Sequence, residues 1–242
     1  MPYLLHHDYY NCAMHGTWEE PQESEDSTKE KLRVEFFRPL KYGQPLSPRA
    51  LAMLPTPYRI GGPKGKPVPD IFGNDLGPWH VSDRVKDIIE DLEPGVHTFI
   101  PINAIKVVVE NTTDADLYAA GDLTKGKQEA ISPRNRKYFI LHVQRVVKAV
   151  VLDETDYAGT TTAEQVRQTG SGTISKLGKC TLYASAIKGH HLWRGGIATY
   201  GRLRGAEEAF WNQFFASDEL VSRLKEIGAQ GWEYQQCVVK YA

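Results

Sequence analysis

The chain has 242 residues and a net charge of −1, enough for one large domain or two small ones around a sizeable core, and too little net charge to favour nucleic acid or membrane overall. Cys12, Cys180 and Cys237 are odd in number, far apart and without C-x-x-C spacing, which fits reduced thiols in a reducing compartment. The opening residues show no basic segment followed by an apolar run, and no stretch approaches the ~18 apolar residues of a spanning helix, so a cytoplasmic location without a membrane partner is expected.

Residues 1–69 read as an N-terminal cap region with acidic and Pro-rich loops, and 70–242 as an α+β domain forming one compact unit with it. The acidic stretch holds Glu19, Glu20, Glu23, Glu25, Asp26 and Glu30 against Lys29 alone, the composition of a solvated loop. Leu32–Phe37 reads as a strand. Pro39–Pro69 reads as loops, with a short helix near Pro48–Leu54.

Two similar units follow. Trp79–Ile102 and Phe214–Tyr234 each run from an apolar lead-in through Ser-Asp, a short helix and a glycine into a strand. Ser82 or Asp83, and Ser217 or Asp218, are placed to accept from free N–H groups of the first helical turn. Val85, Ile88, Ile89 and Leu92 recur at helical spacing. Leu220, Leu224 and Ile227 form a narrower stripe. Between the units, Ala104–Glu110, Lys137–Val143, Arg145–Leu152, Cys180–Ile187 and His190–Trp193 read as strands. Thr160–Thr173 is polar, with room for one exposed helical turn, and Trp232–Val239 closes as a strand. The expected fold class is α+β, with a mixed, largely antiparallel sheet and two strand–cap–helix–strand units.

Motifs of chemistry are weak. Gly61–Pro67 lacks the Ser or Thr and the spacing of a phosphate loop, and Pro67 and Pro69 oppose a following helix. Gly170–Thr173 lacks the strand-then-helix setting of an anion site, and reads as a flexible linker. His6-His7 and His190-His191 are adjacent pairs, whose side chains on a strand point to opposite faces, so no metal site is expected. No G-x-S-x-G frames a nucleophile for His142, and turn capping accounts for Asp153, Glu154 and Asp156. The reading is of a non-enzyme without catalytic, cofactor-binding or metal residues. Two basic segments, 125–148 and 167–204, together with Arg134–Phe139, leave a nucleic-acid-binding module as an alternative, beside a small hydrolase-like enzyme.

Taken in order, Trp79–Arg84, Glu93–Ile102, Tyr138–Asp153, His191–Arg194, Phe215–Leu220 and Gly231–Tyr234 resemble immunity protein family 11 of bacterial polymorphic toxin systems. The resemblance covers roughly residues 70–235, with 1–69 matching loosely and a polar insertion from Asp156 to Lys179. It implies an immunity protein that binds a cognate secreted toxin, of contact-dependent or type VI type, and protects the producing cell. Its company implies a nuclease as that toxin, and it assigns no enzymatic residues. Trp79, Ser82, Asp83, Pro101, Asp153, Ser217, Asp218 and Gly231 then read as scaffold residues. A nuclease cleft is basic, so charge nominates Glu19, Glu20, Glu23, Glu25, Asp26, Asp114 and Asp116 as toxin contacts that mimic phosphates.

Overall fold

The computed structural model describes residues 1–7, 15–16, 31, 33–54, 58–62, 64–73, 79–108, 128–129, 136–169, 172–196 and 209–241. In chain order its first strands are β1 (Tyr3–His7), β2 (His15–Gly16), β3 (Tyr58–Gly62), β4 (Ile71–Phe72) and β5 (Trp79–Ser82). Next come β6 (Thr98–Ile102), β7 (Ala104–Val108), β8 (Gln128–Glu129), β9 (Tyr138–His142) and β10 (Val146–Val147). The last are β11 (Thr181–Tyr183), β12 (Leu192–Gly196), β13 (Ala209–Ala216), β14 (Trp232–Gln236) and β15 (Val238–Lys240). The α-helices are α1 (Arg38–Tyr42), α2 (Pro48–Ala52), α3 (Asp83–Leu92), α4 (Ala163–Thr169), α5 (Ala184–Ile187) and α6 (Asp218–Glu226). The sheets are mostly antiparallel and helices accompany them, an α+β architecture.

The two Ser-Asp units share one topology. In the first, β5 leads into α3 and the chain returns as β6; in the second, β13 leads into α6 and returns as β14. Neither returning strand pairs with its own leading strand. In each case a third strand lies between them, antiparallel to both: β9 between β5 and β6, and β1 between β13 and β14. The first unit forms the sheet β4-β5-β9-β6, and the second lies within β10-β12-β13-β1-β14. Two smaller sheets, β2-β3-β7-β8 and β11-β15, flank them.

Both main sheets are buried on both faces, and side-chain alternation divides the residues between cores. Leu5, Phe214 and Leu192 join Trp79, Val81, Ile71 and Leu141 in a central core that also takes the apolar faces of α3 and α6. Their neighbours Leu4, Phe215 and Trp193 turn the other way, into a core with Val150, Val166 and the buried Cys180 and Cys237. On the far side of the first sheet, Phe72, Ile100, Tyr138 and Ile140 meet Phe36, Phe37, Leu40, Tyr58 and Ile60. Each such buried side chain contributes about 1.5–3 kcal/mol over leaving it in water. The leading strands meet at matching positions: Trp79 and Phe214, each three residues before its Ser, pack edge to face at 5.6 Å.

Three local expectations are corrected. Arg33–Phe37 is a π-helical turn running into α1, not a strand, because a helical path brings Phe36, Phe37 and Leu40 onto one buried face. Pro39 sits in the first turn of α1, where its missing N–H is not needed. Arg145–Leu152 holds only β10, an isolated bridge at Val150 and a 3₁₀ turn at Leu152–Glu154. Cys180–Ile187 is strand only to Tyr183 and then turns into α5.

Candidate functional site

The structure gives each of the motif residues a contact. Ser217 caps α6 as expected, its Oγ accepting from Leu220 N–H at 3.1 Å. Ser82 stands at the equivalent place before α3 but does not cap it; its hydroxyl donates to Asp70 Oδ1 at 2.7 Å. Asp83 Oδ1 instead accepts from Arg84 N–H at 3.0 Å. Asp70 explains the difference. Its buried carboxylate also receives Arg84 Nη2 at 2.7 Å and Arg136 Nη1 at 3.0 Å, so a serine hydroxyl beside it is drawn to charge rather than to a helix N–H. Trp79 packs on Phe214 and Trp232. Pro101 lies in edge strand β6 opposite Phe139, a position a proline tolerates. Asp153 is exposed and pairs with Arg167, and Asp218 accepts from Tyr3 Oη at 3.2 Å.

Gly231 allows the turn after α6 to seat on β4. It holds φ +120°, and a Cβ placed on it would lie 1.7 Å from the Ile71 carbonyl oxygen. Next to it, Ile71 N–H donates to Gln230 O at 2.9 Å. Only glycine permits that approach.

A second buried polar group ties α3 to the other sheet. Glu93 Oε2 accepts from Leu192 N–H at 2.9 Å and faces His97 Nε2 at 2.9 Å; Arg145 Nε lies 3.4 Å from its other oxygen. Burial pushes the Glu93 carboxyl up, but the hydrogen bonds with His97 and the backbone of His191 and Leu192 outweigh it and hold it below its ordinary range. His97 and Glu93 resemble an acid–base pair in composition. Their side chains are 0% and 4% exposed, so they serve as a structural clamp and offer nothing to a substrate.

The basic segments are largely matched by carboxylates where described. Arg136 pairs with Asp70, Arg145 with Glu93, Arg167 with Asp153 and Glu164, Lys176 with Glu233, and Lys179 with Glu154. Arg194 is buried, donating from Nε to Val143 O at 2.7 Å over the Phe214 ring. Blocks of like charge in sequence are therefore interleaved with acids in space.

An apolar groove of about 940 Å³ lies beside β15, walled by α5 and its following residue Lys188. Ile187, Cys237, Val238, Val239 and Tyr241 contribute to its lining. Sequence reading missed it because its walls come from segments around residues 1–2, 184–188 and 236–241, none of which carries a motif. The acidic candidates Glu19, Glu20, Glu23, Glu25, Asp26, Asp114 and Asp116 lie outside the described residues. Among the described residues, no helix is long and apolar enough to cross a membrane, and no group of three or more His, Cys, Asp or Glu is placed to hold a metal ion.

A search of curated proteins finds no match to the chain. The family match lies further toward the N-terminus than the motifs suggest: it takes in the acidic stretch and stops before Tyr138. The likeness read from the motifs nevertheless holds, for the chain is similar to the immunity protein family (Imm11), whose family model matches residues 19–118.

Proposed function

We propose that this chain is an immunity protein: it binds a cognate secreted toxin in the producing cell's cytoplasm and blocks it by contact, without turnover. The observation that carries this reading is the family match over residues 19–118. The structure supports it in one respect. The polar residues of the motifs are engaged in caps, ion pairs and clamps, which leaves recognition to surface segments on a rigid frame. All seven acidic contact candidates, from Glu19 to Asp116, fall inside the matched stretch. We assign them to a basic toxin surface, such as a nuclease cleft, where complementary charge speeds encounter and selects the partner.

The test is co-expression with the toxin domain encoded beside this chain's gene. Growth rescue together with a complex on a sizing column is the expected result. Reversing Glu20, Glu23 and Glu25 together should slow association and weaken rescue; unchanged inhibition would remove the acidic segment from the interface. Absence of both rescue and complex would overturn the immunity reading itself.

A further inference from the structure

The groove beside β15 combines three features that point to one kind of occupant. The first is exposed apolar surface: Val238 is 46% exposed and Tyr241 83%, while most large apolar side chains among the described residues are buried. The second is an open strand edge. β15 pairs only with β11 among the described strands, in parallel, with Thr181 opposite Val238 and Tyr183 opposite Lys240. Val238 N–H donates to Cys180 O at 2.8 Å. Successive residues of a strand turn their N–H and C=O to opposite edges, so those of Val239 point away from β11. Val238 and Val239 line the groove, with none of β11 among its described lining residues, as befits an edge rather than a face. The third is charge. Lys188 stands exposed at the α5 wall, no carboxylate side chain is among the described residues that line the groove, and the nearby Lys240 is already paired with Glu154.

Each feature selects a property of the ligand. An unpaired strand edge hydrogen-bonds an extended backbone. Apolar walls take apolar side chains, and an uncompensated lysine takes a carboxylate. The edge opens past Cys237, whose N–H donates to Pro2 O at 2.9 Å, and the strand Val238–Lys240 offers about 10 Å, room for about three extended residues. We propose that the groove receives an extended apolar segment of the toxin, added as a strand along β15, with an acidic toxin side chain meeting Lys188. This rests on the toxin-binding reading above and adds a contact distinct from the acidic stretch.

The experiment uses the full chain and the toxin domain encoded beside its gene, with affinity measured by titration calorimetry. Val239→Pro removes the outward N–H and leaves the bonds to β11 in place. Lys188→Glu reverses the charge that the groove presents. Each should weaken binding about tenfold or more, while the thermal midpoint and circular dichroism of the free protein stay unchanged. In the wild-type complex, hydrogen exchange across residues 236–241 should slow, a reading independent of whether Val239→Pro folds. Wild-type binding with unchanged affinity in Lys188→Glu and unchanged exchange at 236–241 would overturn the groove as the contact and leave the immunity reading standing. Failure of the wild-type chain to bind would overturn both.

Discussion

Replacing Gly231 with alanine tests how closely the turn after α6 is fitted to β4. The added Cβ would lie 1.7 Å from Ile71 O and 2.6 Å from Ile71 C, both backbone atoms that cannot rotate away. A tolerable carbon–oxygen contact needs about 3.3 Å, so the turn must lift by about 1.5 Å. That displacement breaks the Ile71 N–H bond to Gln230 O and loosens Trp232 from Trp79, whose rings now lie 5.4 Å apart. An alanine held at positive φ costs about 1–2 kcal/mol, and an orphaned buried N–H about 1–3 kcal/mol. With some loss of core packing the total is about 4 kcal/mol, a large share of the ~5–15 kcal/mol that holds a typical domain. Gly228 supplies the control: it sits in the same turn with φ +63°, and a Cβ there meets nothing within 4 Å. Gly228→Ala should therefore cost only the conformational ~1–2 kcal/mol. Urea denaturation of both variants measures the difference. Equal losses, within about 0.5 kcal/mol, would refute the argument, because both the Ile71 backbone and the larger φ should make Gly231→Ala the costlier change.

The two serines should respond oppositely to the same repair. Ser217→Ala should lose about 1 kcal/mol and Ser217→Asp should recover it, as a carboxylate also caps; Ser82→Asp should instead destabilise, since it sets a second carboxylate against Asp70. Denaturant midpoints of the three variants decide this, and stability retained in Ser82→Asp would show that Ser82 is a cap after all. Burial drives His80 down to about 3, and burial with the nearby Arg194 charge drives His142 to about 3. Both sit near 6.5 when unfolded, so the unfolded chain binds the extra protons. Their contribution is fully present above about pH 6.5 and falls as pH drops toward 3, by about 1.4 kcal/mol per unit for each histidine. Denaturation at pH 7 and pH 5.5 should show the loss, and His80→Gln should reduce its slope by about half. Glu93→Ala should cost about 3 kcal/mol, by leaving His97 and Leu192 N–H without their shared partner and Arg145 without its counter-charge; a loss below about 1 kcal/mol in thermal unfolding would show that water replaces the carboxylate there.

What the sequence disclosed about the fold was whatever is decided locally. Ser217, the stripe of Val85, Ile88 and Ile89, and Gly228 at the end of α6 are each set by spacing within a few residues, and each reads directly. Ser82 misled because its partner, Asp70, lies outside the helix it was expected to cap. Leu32–Phe37 misled because adjacent aromatics suit a strand or a helix equally, and only packing against Tyr58 and Ile60 chooses. The bonding of β1 and β9 between the strands of each unit was invisible, since it depends on which distant strand fills a gap. The groove was invisible for the same reason: no one segment carries its shape.

The place of β1 has a consequence for synthesis. Tyr3 and its helix-cap neighbour Asp218 are 215 residues apart in sequence, and both strands that flank β1 lie in that distant region. At about 5–20 residues per second, the ribosome needs some ten to forty seconds to deliver them. Through that interval Leu4 and Leu5, which end in separate cores, have no sheet to join. The second unit thus closes late and all at once, when β13 and β14 emerge to take β1 between them.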